Sequence, residues 1–141
     1  MRGICEPFNR HRRIVGFDTF KGFLSVSEKD GNSDMMKSGG LAVSENYVDY
    51  LQGIMESHEN DNPLSHVRKY DLRVGDAVIE IDKYLKENPQ TIVALAYFDF
   101  NIYEPTRKCL EVIKPHLVRG SVLDFDESND PDFTGETVVL R

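Results

Sequence analysis

The chain of 141 residues carries a formal net charge of −7, with 40% hydrophobic and 29% charged residues. That length suffices for one domain with its own core. The acidic balance excludes a general nucleic-acid binder, which needs clustered Lys and Arg to displace counterions, and no apolar run approaches the length of a membrane span. Cys5 and Cys109 are too few for a disulfide framework and share no metal-ligand spacing. The N-terminal MRGICEPFNRHRR lacks the apolar segment of a secretory signal, so a cytoplasmic protein is expected, and the basic cluster Arg10 to Arg13 reads as a solvated approach to the first strand.

The first strand signal is IVGFDTF, Ile14 to Phe20, a short apolar run closed by an acid. Residues 23–40, FLSVSEKDGNSDMMKSGG, are polar and without periodicity. Such length suits an inserted lid or binding loop, with Met35 and Met36 as its apolar anchors. A helix follows from Ser44 to Ser57, with Val48, Leu51 and Met55 at three- and four-residue spacing. KYDLRVGDA, Lys69 to Ala77, alternates as a strand. AVIEIDKYLKE, Ala77 to Glu87, returns to helical spacing and is stopped by Asn88-Pro89. TIVALAYFDF, Thr91 to Phe100, is continuous and β-branched at its start, as for a strand buried on both faces. A helix over Pro105 to Ile113 and a last strand over Gly120 to Glu127 complete the pattern. Strand and helix in alternation predict an α/β fold with a parallel sheet and right-handed crossovers.

Each predicted strand ends in an acid: Asp18, Asp76, Asp99 and the pair Asp126-Glu127. In an open parallel sheet, ligands bind beyond the carboxyl ends of the strands. Four such endings at one edge therefore suggest a site, although a single acid there often only caps the next helix. Asp18 is placed to accept ribose hydroxyls, and Asp76 to meet an adenine amino group or to cap. Asp99, Asp126 and Glu127 offer hard oxygen ligands suited to Mg²⁺. No Walker or G-x-G-x-x-G phosphate cradle is present, the four histidines share no ligand spacing, and no Ser-His-Asp arrangement supports nucleophilic hydrolysis.

The phrases IVGFDTFKGF, VGDA and IVALAYFDFNIYEPTRKCLEVIKPHLVRGSVLDFDE, with the late Gly135-Glu136-Thr137, resemble the macrocin O-methyltransferase family of class I S-adenosylmethionine-dependent enzymes. The resemblance runs from about Arg2 to the C-terminus. It implies one domain over 1–141 with a Rossmann-like methyltransferase sheet, and transfer of the S-adenosylmethionine methyl group to a (deoxy)sugar hydroxyl with Mg²⁺ assisting. Asp18 and Thr19 would hold the cofactor ribose, Asp76 and Ala77 would lie near its adenine, and Asp99, Asp126 and Glu127 would ligate the metal. The partner implied is a small-molecule acceptor, with no nucleic acid or membrane, and a homo-oligomer stays open.

Two departures from the family pattern stand out. Asn101 occupies the position of the family's candidate base, and an amide cannot take a proton at neutral pH. The family also places a strand and a Gly-rich turn before the position of Arg2 and further strands after Arg141, so the resemblance implies a partial, truncated sheet. These departures keep a second reading open, a non-catalytic remnant acting through binding or oligomerisation. A third, an aspartate-dependent phosphotransferase, is weakened by the same Asn101.

Overall fold

The computed structural model describes residues 8–31, 37–126 and 128–141. Its elements follow the expected order: β1 (Ile14–Asp18), a 3-10 turn (Glu28–Asp30), α1 (Tyr47–Asn60), β2 (Tyr70–Val74), α2 (Ala77–Glu87), β3 (Val93–Phe98), α3 (Tyr103–Ile113), β4 (Leu117–Phe125) and α4 (Gly135–Val139). Local chemistry explains the boundaries. The Asp76 carboxylate accepts from the Val78 N–H at 2.9 Å and starts α2, while Asn88 ends it by donating its backbone and side-chain N–H groups to the Tyr84 carbonyl at 2.9 and 3.0 Å. α3 begins two residues before Pro105, whose missing N–H falls in the first turn, where no intrahelical acceptor exists.

The strands form two parallel pairs. β1 lies beside β2 from Ile14 opposite Tyr70 to Asp18 opposite Val74. β3 lies beside β4 up to Phe98 opposite Phe125, with a register shift between Val93 and Leu95. Among the described residues the two pairs are separate sheets, yet they share one core. Ala77, Tyr84 and Leu85 of α2 meet Phe98 of β3 and Cys109 and Ile113 of α3, with Val15, Phe17, Val93 and Ala96 packed against them. Phe98 stacks on Phe125 at 4.8 Å, and Phe17 meets Tyr84 edge-on at 6.1 Å. Burial in this core pushes the Cys109 thiol up to about 12. On the far side of β2, buried Lys69 pairs with Glu59 and donates to the Leu64 carbonyl at 2.8 Å, which anchors the end of α1.

The expectation that Thr91 to Phe100 is buried on both faces does not hold. α2 and α3 cover one face of the strands, and on the other Leu95 is 62% and Tyr97 55% exposed, with the neighbouring Val122 of β4 also 55% exposed. The described residues provide no second layer over that face.

Candidate functional site

The carboxyl ends of β1 and β3 and the first turns of α2 and α3 surround a cavity of about 490 Å³. Asp18, Thr19, Asp76, Ala77, Asp99 and Asn101 all line it, together with Gly22 to Ser25, Leu41, Glu104 and Lys108. The crossover topology brings these residues together from well-separated parts of the chain, as expected for a parallel sheet. A smaller hollow of about 250 Å³ lies at the amino end of β2, between Glu56, Glu59 and Arg68, away from the strand-end acids.

Each predicted site residue except Glu127 lies among the described residues. One Asp18 oxygen accepts from the Phe20 N–H at 2.7 Å, and the Thr19 hydroxyl donates to the Gly22 carbonyl at 3.0 Å while accepting from the Lys21 N–H. These bonds fold the chain after β1 into a tight turn with Phe20 at φ 57°. Asp76 spends one oxygen on its cap. Burial raises the Asp99 pKa, and the nearby Asp126 and Asp18 charges raise it further. Strand-end acids close enough to oppose one another's ionisation give the cavity a negative field that suits a cationic ligand.

Asn101 is buried and adopts φ 60°, a left-handed conformation that Asn tolerates better than most residues. Its side-chain oxygen is buried without a hydrogen-bond partner. Two carboxylates to which the sequence assigned no role shape the surrounding loop. Glu136 of α4, fully buried, accepts from the Phe100 N–H at 2.9 Å and from the Asn101 N–H at 3.2 Å. Asp30, also buried, accepts from the Tyr103 N–H at 2.5 Å and from both the backbone and hydroxyl of Ser27. The Ser27-x-x-Asp30 spacing is a capping box and was the available signal for that turn. Part of the predicted lid, residues 28–30, is thus tied to the start of α3. Met35 and Met36 lie outside the described residues.

Of the three predicted Mg²⁺ ligands, Asp99 and Asp126 fall among the described residues. Glu127 lies outside the described residues, and Asp126 accepts the Tyr97 hydroxyl, whose pKa that bond pushes up to about 12. Asp126 does not line the cavity that holds Asp99. Among the described residues no group of three His, Cys, Asp or Glu side chains is arranged to hold a metal ion. None of their helices is long and apolar enough to cross a membrane.

The chain superposes on the crystal structure of CalS11, a calicheamicin methyltransferase, with a TM-score of 0.95 and 44% identity, over 99% of this chain and 55% of that one. The apo structure of CalS11, described as a TDP-rhamnose 3'-O-methyltransferase of calicheamicin biosynthesis, gives 0.81 and 40% over 99% and 52%. The chain therefore spans about half the length of these structures. No protein-family model and no curated protein matches it. The likeness is to a sugar O-methyltransferase, and it extends over an α/β fold whose parallel strands and cavity are those described above.

Proposed function

We propose that the chain works as an S-adenosylmethionine-dependent O-methyltransferase acting on a hydroxyl of a deoxysugar, the sugar carried on a nucleotide as in the substrate named for CalS11. The observation that carries this reading is the cavity itself, with Asp18, Asp76 and Asp99 converging on it in a chain so similar to a sugar methyltransferase. Bound there, S-adenosylmethionine would supply an electrophilic methyl group on a sulfonium centre. Asp18 would accept the ribose hydroxyls through the oxygen not engaged by the Phe20 amide. The negative field of the strand-end acids favours the cationic sulfonium and ammonium groups and weakens its hold once the neutral thioether has formed.

Methylation of the acceptor oxygen, with the thioether as leaving group, would release the hydroxyl proton, and a residue of the cavity would receive it. Asn101 cannot take it. Asp99 is the cavity carboxylate whose proton affinity burial and neighbours raise, so it is the base in this reading. A bound Mg²⁺ would find Asp99 and Asp126 among the described residues, while Glu127 lies outside them. Calorimetric titration of the folded chain with S-adenosylhomocysteine, with and without Mg²⁺, tests the proposal. Heat of binding is expected in both arms. A folded sample that gives none refutes cofactor binding by this chain, and affinity that appears only with Mg²⁺ would return the metal to the site.

A further inference from the structure

The loop that carries Asp99 and Asn101 into the cavity is not held by its own neighbours in sequence. Its backbone N–H groups at Phe100 and Asn101 both point to one oxygen of Glu136, and the N–H of Tyr103 points to Asp30. Both acids are almost completely shielded from water, at 0% and 2% exposure. Neither lines the cavity. The two grips are themselves joined, since the Thr134 hydroxyl donates to the Lys29 carbonyl at 2.8 Å beside them. α4 approaches so closely that a side chain at Gly135 would put its first carbon 2.5 Å from the Tyr103 nitrogen and 2.7 Å from Ile102 backbone atoms. Such packing leaves the loop no room to shift toward α4, and the left-handed Asn101 is a conformation that persists only when its surroundings enforce it.

We infer that Glu136 is a positioning residue for the cavity: its buried carboxylate fixes the Phe100 and Asn101 backbone and so sets where the Asp99 and Asn101 side chains stand against a ligand. This inference rests on the reading of the cavity as the cofactor site. Hydrogen bonds from backbone N–H groups to a buried carboxylate are among the stronger ones in proteins, and withdrawing the acceptor leaves two donors without a partner. Glu136→Ala should therefore weaken S-adenosylhomocysteine binding by about tenfold or more. Glu136→Gln keeps an oxygen at the same reach and should stay within about threefold of the parent chain. Ile113→Val removes core volume away from the cavity and should lower stability with unchanged affinity.

A folded Glu136→Ala chain that binds like the parent overturns the inference, as does an equal loss of affinity in Ile113→Val. Should Glu136→Ala not fold, Glu136→Asp, which keeps the charge but withdraws it by one methylene, must show the loss, and parental affinity there is equally fatal. If the parent chain itself gives no heat, the cofactor reading falls separately. The positioning role is then read from amide hydrogen exchange. Selective acceleration at Phe100 and Asn101 in Glu136→Asp sustains it, and unchanged exchange at those two amides overturns it.

Discussion

Replacing Asn101 by Asp would put a carboxyl in the cavity where the amide now stands, and the structure says what that costs. The backbone gives no confounding effect, because Asp tolerates the left-handed φ of 60° about as well as Asn. The environment is the obstacle. The side-chain oxygen at this position is buried without a hydrogen-bond donor, and the Glu136 carboxylate sits against the same residue's N–H. Desolvation and a like charge both favour the protonated acid, and together they should raise the pKa of the introduced carboxyl by roughly two units over its unfolded value, equivalent to about 2.7 kcal/mol. A folded-state pKa raised in this way makes the variant relatively better at low pH and progressively worse as pH climbs through the interval between the unfolded and folded values. The deficit of Asn101→Asp relative to the parent should thus grow from about 1.5 kcal/mol at pH 5 to about 2.7 kcal/mol at pH 8. Urea unfolding followed by circular dichroism at the two pH values, for both chains, measures it. A deficit that is the same at pH 5 and pH 8, or no deficit at pH 8, would show that position 101 is open to solvent or to a donor and would refute the reasoning.

Two further outcomes follow from single residues. Asp76→Ala removes the cap of α2 and should cost about 1 kcal/mol, lowering the melting temperature by about 4 °C, while Asp76→Asn should be close to neutral because both side chains cap well; a full loss in Asp76→Asn would mean that its charge matters more than its cap. In a Cys5→Ser background, Cys109 should resist a disulfide reagent at pH 8, since a thiol pushed up to about 12 is only about one part in ten thousand thiolate, and should react at once in denaturant; rapid reaction of the folded chain would contradict its burial.

The order of strands and helices was legible because their signals are local. Val78, Ile81 and Leu85 repeat at helical spacing, Asp76 caps, and Asn88-Pro89 stops, so α2 was readable to the residue. β4 was harder. It begins at Leu117, three residues before its predicted start, because Gly120 at φ 96° bulges the strand and the Ser121 hydroxyl, not the ladder, joins the Val118 N–H to the Val93 carbonyl. The convergence of Asp18, Asp76 and Asp99 was also legible, since a parallel topology dictates which strand ends are neighbours. The roles of Asp30 and Glu136 were not. Each bonds to backbone far away in sequence, and nothing in a polar loop or a five-residue helix announces so distant a partner. The open face of β3 was missed because a continuous apolar run reads the same whether or not a second layer covers it.

The cavity takes one wall from the β1 side and the other from the β3 side, and among the described residues the two strand pairs share no backbone ladder. Any molecule that fills it therefore acts as a mortar across the seam, touching both halves at once. By mass action, a ligand at a hundred times its Kd adds about 2.7 kcal/mol to the folded state, and here that gain falls on the junction between the pairs, beside the core packing and the Tyr103–Asp30 and Thr134–Lys29 hydrogen bonds.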